Sequence, residues 1–342
     1  MERQSDMSNQ KRLTKITTAL FLLGSILALL PLIIKSPYQI HLLIMTGINV
    51  MLAISFSILF SAGLITMGPA GFWAIGAYSS ALLVMKAGLS FWLSLPLAGI
   101  SAGLVALIVG LVIVRNPGVA FIVQTMVINM IIVQILGQLE FLGGWAGILG
   151  IPNPNSIGPI RFMSKTSYYY LILFLLLVTT AAIYGAYSSR VGRAWRAIKL
   201  TPHLAETLGI DLYRYRLLAF VISSCVAGIA GSFYAHYFRS LEPGMFSVFK
   251  SIYIQIYSIL GGLDFYLLGP ILGSLIMTLL PEFLRVSREI EPILTGAILI
   301  GLVIFLPGGI LSLPERLRSL STSLSEKGKE TGFSRSPQGN PR

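Results

Sequence analysis

The sequence is poor in groups that do chemistry in water. One cysteine, three histidines and 13 acidic residues serve 342 positions. The lone Cys225 excludes an intrachain disulfide framework and reads as a small residue buried against a neighbouring helix. Scattered histidines without paired carboxylates give neither a metal cluster nor a catalytic triad, so the chain is not expected to be an enzyme. The phosphate-loop pattern G-x-x-x-x-G-K-[ST] does not occur. Charged residues make up 11% of the chain, against roughly 25% in soluble domains. Acidic residues fall near the ends of apolar runs, and His41 and His236 sit near such ends, where interfacial hydrogen bonding is the plain reading. Proton coupling would instead place acidic residues or histidines deep in the spans. An ion-coupled carrier, with sodium held by carbonyls and hydroxyls, therefore remains a minor alternative.

What is abundant is apolar: 55% of residues. Runs at roughly 16–34, 40–60, 67–85, 92–114, 119–139, 168–187, 217–238, 246–262, 267–283 and 292–306 are mostly near the ~20 residues that cross a bilayer as helix. The last three are short or broken and one reads as re-entrant, so the expectation is eight to ten spans. If ten alternate from a cytoplasmic N-terminus, 17 of the 25 lysines and arginines fall on the cytoplasmic side and eight on the other. The positive-inside rule then places both termini in the cytoplasm. The net charge of +12 follows from this bias; with no folded basic domain, nucleic acid is not an expected partner. Residues 1–12 and 319–342 are basic and polar, with too few apolar residues to build a core, and read as disordered tails around one membrane domain, 13–318.

The longest charged interruption runs over 188–216, with Arg190, Arg193, Arg196, Lys199, Arg214 and Arg216 against Glu206 and Asp211. Thr201-Pro202 reads as an N-cap and first helical residue, and Gly209 as a stop, so two short surface helices are expected. Trp195 with Ile198, and Leu204 with Leu208, give each a small apolar stripe, and the surface is fit to receive a soluble partner or to touch lipid headgroups. Arg115-Asn116-Pro117-Gly118 has the residues of a tight turn. On the other side, 140–167 is too rich in glycine and proline for a regular helix, while Phe141, Trp145 and Ile151 are apolar enough to pack. Gly99 with Gly103, and Ala227, Gly228 and Gly231, are close-approach surfaces for helices in lipid.

Residues Gly63 to Tyr78 read GLITMGPAGFWAIGAY, with four glycines and a proline in a candidate span. A helix broken there frees backbone groups at membrane depth, which is tolerated only inside a protein or beside a polar path. This run resembles the signature of branched-chain amino acid ABC transporter permeases, Gly-Gln-x-Ser-x-Gly-His-Ala-Ala-Phe followed by Gly-x-Gly-Ala-Tyr. The likeness continues in order through Phe141–Pro152, Ser189–Ala194, Ala197–Lys199, Leu208–Ile210, Leu217–Ser223, Ala227–Gly231, Gly261-Gly262, Gly269–Gly273 and Leu306–Ile310. It covers about residues 40–312 and is nearest to the LivM type, one of two different membrane subunits in that importer.

The resemblance implies an all-α, polytopic ABC importer permease with broken or re-entrant segments in a bacterial-type plasma (inner) membrane. Implied partners are a second permease, two cytoplasmic ATPases carrying ATP and Mg, and a periplasmic or extracellular substrate-binding protein; no cofactor is expected in this chain. Gly192, Arg193, Arg196, Lys199, Glu206 and Gly209 would form the ATPase-coupling surface. Thr66, Gly68, Pro69, Phe72, Gly76 and Tyr78 would border the translocation path. Leu64, Thr66 and Pro69 stand where the family usually has glutamine, serine and a polar residue. Leu200-Thr201-Pro202-His203 replaces a usually acidic, polar stretch, and Asp264-Phe265-Tyr266 interrupts a usually glycine-rich turn. A urea or short-amide importer would carry the same pattern.

Overall fold

The computed structural model describes residues 36–156, 164–263 and 267–283, with single positions or short pieces at 31, 162, 265, 296, 300, 301 and 309–312. The expected first and last spans, and both tails, lie outside the described residues except at isolated positions.

Apolar length produces the helices and a few polar residues punctuate them. The spans are α1 (Pro37–Ser61), α2 (Pro69–Met85), α3 (Phe91–Ile113), α4 (Val119–Gln138) and α5 (Lys165–Ser188). A surface pair follows, α6 (Arg190–Leu200) and α7 (Pro202–Thr207), then α8 (Leu212–Phe238), α9 (Val248–Gly261) and α10 (Leu268–Phe283). Five of these, α1, α3, α4, α5 and α8, are long and apolar enough to cross a bilayer, and α2, α9 and α10 are shorter apolar helices. Ser164 caps α5 by accepting from the Ser167 N–H, and Asp211 caps α8 by accepting from the Arg214 N–H. Gly118 takes φ +82°, so the 115–118 turn reverses the chain as its residues require.

Loops sort to two ends. Gly63 lies against Ile198 and Lys199, and Arg115 lies over the Tyr213 ring, so 62–68, the 115–118 turn and 189–211 share one end. At the other end the Lys86 ammonium donates to the Phe141 carbonyl, the Phe91 N–H donates to Asn155 and His236 bonds the Pro152 carbonyl. This is the alternation that the sequence requires.

Helix α8 is the centre of the bundle, packed against α1, α2 and α3. Its glycines explain how. A Cβ on Gly231 would run into the Trp73 carbonyl of α2, one on Gly76 would run into the Gly228 backbone, and one on Gly228 would lie 2.7 Å from the Ala98 carbonyl of α3. On the α3 side, Gly103 gives room to the Cys225 sulfur and Gly99 to Ile229, which is the close packing expected of both residues. Backbone therefore meets backbone, the geometry small residues permit where lipid offers helices no hydrophobic drive to associate. The most apolar window of α1 is 83% buried and that of α4 only 22%, so α1 is interior and α4 lies at the edge of the described bundle.

The connection that follows α4 is more ordered than its composition implies. Glu140–Leu142 and Gly144–Ala146 form single 3-10 turns, and Ile148–Leu149 pairs antiparallel with Ser240–Leu241, the one ladder among the described residues. Ile151 is buried as expected. Phe141 and Trp145 stay half exposed, with the Lys86 ammonium over one ring and Gly137 beneath the other. His236, two residues before the end of α8, is fully buried and hydrogen-bonded: Nδ1 donates to the Pro152 carbonyl, leaving Nε2 to accept from Ser80, whose hydroxyl also meets Ser94 and Ser232.

Substituting Gly76→Ala is expected to lower stability by about 1–3 kcal/mol, because the group it strikes is backbone and cannot rotate away. Gly185→Ala on α5, with no atom within 4 Å of the new methyl, serves as the control. Thermal unfolding of the two purified variants in one detergent checks the difference.

Candidate coupling face and buried helix start

The surface pair is built by a turn and an anchor. Gly192 has no room for a side chain against the Tyr187 carbonyl, so α6 folds back tightly on α5. The Ser189 hydroxyl accepts from the Val191 N–H at 3.1 Å and caps α6. Trp195 is fully buried and its indole N–H donates to the Tyr215 carbonyl at 2.9 Å, fastening α6 to the first turn of α8. Ala194 and Ile198 pack beneath α6, and the Lys199 ammonium lies 4.3 Å from the Phe60 ring centre. Thr201 and Pro202 open α7 and Gly209, at φ +80°, ends it; the Thr201 side chain makes no capping bond.

Arg193, Arg196, Glu206 and Gly209 are left facing outward. So are Leu200, Leu204 and Leu208, which are 79%, 57% and 72% exposed. Three large aliphatic side chains among arginines, on helices whose other face is locked to the bundle, make a firm amphipathic surface of the kind that receives a protein partner.

The second feature is the start of α2. Residues 62–68 are not helical and Gly63 takes φ +74°, whereas from Pro69 the helix is regular. The interruption expected between 63 and 78 is therefore confined to its first third. Gly71 and Gly76 lie within the regular helix, where Gly76 is the contact with α8. Three hydroxyls receive the free backbone amides: the Met67 N–H donates to Thr125 at 3.1 Å, the Gly68 N–H to Thr66 at 3.1 Å and the Ala70 N–H to Ser251 at 3.0 Å. Helix starts leave such amides without internal partners, and in lipid they must be satisfied by protein.

Thr66, Pro69 and Phe72 line a narrow void with Leu59, Phe220, Ser223, Ser224 and Ala227; it is too tight for a water molecule. Gly68 is buried beside Thr125. Tyr78 is buried farther along α2 near Phe246, away from that void. Buried polar atoms without hydrogen-bond partners gather around the same helix start: both amide atoms of Asn129, which lies against Gly71, the Nε2 of Gln255, one turn beyond Ser251, and the indole N–H of Trp73. Sequence reasoning missed Thr125, Asn129, Ser251 and Gln255. The available signal was amides and hydroxyls inside apolar runs, where such groups are costly.

A bundle of apolar helices with a buried helix start and a firm amphipathic face at one end suits a membrane transport permease. Residues 38–306 match the family of the permease component of branched-chain amino acid transport systems, and the chain belongs to that family. It is 27% identical over 298 residues to the high-affinity branched-chain amino acid transport system permease protein LivM of Escherichia coli, covering 80% of this chain and 68% of that one. A probable LivH permease of Methanocaldococcus jannaschii is 26% identical, over 69% of this chain and 76% of its own. The nucleoside permease NupC of Lactococcus lactis is 27% identical, over 51% and 59%. No solved structure matches.

Ser251→Ala removes the acceptor of the Ala70 N–H, and a buried amide so orphaned costs about 1–3 kcal/mol. Hydrogen exchange across 66–75 is expected to quicken in that variant while exchange in α5 stays unchanged.

Proposed function

We propose that this chain is a translocating subunit of an ATP-driven importer of branched-chain amino acids, with α6 and α7 as the surface on which a cytoplasmic ATPase acts. The observation that carries the reading is the face formed by Arg193, Arg196, Leu200, Leu204 and Leu208, held to α8 through Trp195. A push on that face is delivered to α8, which packs on the regular part of α2. The positive-inside count supports a cytoplasmic position for this end and for both termini. ATP and Mg belong to the ATPases, of which two are expected, beside a second permease and an external binding protein. Lipid headgroups would meet the remaining basic residues of the same end.

The path runs along the first turns of α2, past Thr66, Gly68, Pro69 and Phe72; Asn129, against Gly71, and Gln255, one turn beyond Ser251, are buried amides without partners beside those turns. Gly76 and Tyr78 lie farther along the helix, Gly76 against the Gly228 backbone and Tyr78 near Phe246. A zwitterionic substrate needs compensation of both charges in low dielectric, and these spans offer no evident charged pair for it. Selectivity therefore rests chiefly with the binding protein.

Reconstituted with its partners, the importer is expected to take up leucine, not a nucleoside, in an ATP-dependent manner. Charge reversal at both Arg193 and Arg196 is expected to reduce uptake at least tenfold while assembly persists. Normal uptake and ATPase stimulation in the double variant would remove the docking role, and nucleoside uptake through the same complex would replace the substrate assignment.

A further inference from the structure

Beside the coupling face lies a cleft of about 440 Å³, bounded by the end of α3, the joint between α7 and α8 and the first turns of α8. Arg115 and Arg216 line it together with Glu206, Asp211, Gly209 and Tyr213. These charges are not equally free. Asp211 is held by Arg214, with Nε at 2.9 Å, and by its capping bond to the Arg214 N–H. Arg216 is only 8% exposed, yet its Nε–H has no hydrogen-bond partner. No ion pair within 4 Å joins Glu206 to either cleft arginine. Tyr213, fixed by donating its hydroxyl to the Leu111 carbonyl at 3.0 Å, carries the Arg115 guanidinium on its ring face at 5.6 Å.

The geometry points to a binding site for a small zwitterionic head: an oxyanion taken by Arg216 and Arg115, with an ammonium directed at Glu206. A buried guanidinium with an unused donor is expensive unless something accepts from it, and a carboxylate or phosphate is the acceptor that suits its fork. An oxyanion alone leaves Glu206 facing like charge across the cleft, whereas an adjacent ammonium removes the conflict. Two sources offer this chemistry, a free amino acid and the headgroup of phosphatidylethanolamine. Either would tie the α3–α4 turn to the joint behind the coupling face and so bias the position of α7. This is a site apart from the void at the start of α2, and it does not require that the chain import amino acids.

The test uses the full-length protein purified in detergent, with and without a delipidating wash. Leucine binding is measured by equilibrium dialysis, and retained phosphatidylethanolamine is counted by mass spectrometry. One of the two is expected to be held by the unaltered protein and at least tenfold more weakly by Glu206→Gln and by Arg216→Gln; which one is held identifies the source. Glu206 is exposed, so its variant reports on the site even if Arg216→Gln fails to fold. 4-Methylpentanoate, which lacks the ammonium, is expected not to displace leucine, and phosphatidic acid, which lacks it too, not to replace phosphatidylethanolamine. Binding of neither probe, equal binding in wild type and Glu206→Gln, or full competition by the analogue without the ammonium would overturn the proposal. Loss of uptake in the reconstituted importer with Glu206-dependent binding intact would instead count against the importer reading alone.

Discussion

A backbone amide inside a bilayer has no water to turn to, and the arrangement at the start of α2 follows from that constraint. The helix begins at Pro69, after a non-helical approach, so its first amides cannot be left to solvent. Hydroxyls from Thr66, Thr125 and Ser251 receive them, which requires α4 and α9 both to pack against the start of α2. A buried segment without regular structure is tolerated because neighbouring helices complete its hydrogen bonding.

The same constraint favours glycine where helices cross. α2 and α3 approach α8 until backbone lies on backbone at Gly76, Gly228 and Gly231, and the association draws on contact rather than on the removal of apolar surface from water. The polar network through Ser80, Ser94, Ser232 and His236 then fixes these three helices to one another and to the loop at Pro152. Packing and polar satisfaction thus act on the same helices at successive levels.

Features set by near neighbours in the chain were legible in the sequence. The surface pair over 190–207, the stop at Gly209, the turn ending in Gly118 and the close-packing roles of Gly99, Gly103 and Gly228 follow from residue type and spacing. Features completed by distant residues were not. Nothing near Met67 announces that its amide will meet Thr125, nor does anything near His236 announce burial under Pro152. The glycines of 63–78 illustrate the limit best: identical residues serve a positive φ at Gly63, an interrupted approach at Gly68 and a helix contact at Gly76, and only the neighbours distinguish them.

Helix α8 runs for 27 residues from Leu212 to Phe238, roughly 40 Å at the rise of an α-helix. At one end Trp195 grips it through the Tyr215 carbonyl; at the other, His236 and the Ser240–Leu241 pairing bind it to the opposite loop. No proline interrupts it. A rod without a joint transmits a tilt over its whole length, so the two membrane faces cannot change independently. In the transport cycle proposed above, opening on one side and closing on the other would then be a single mechanical event carried by this helix.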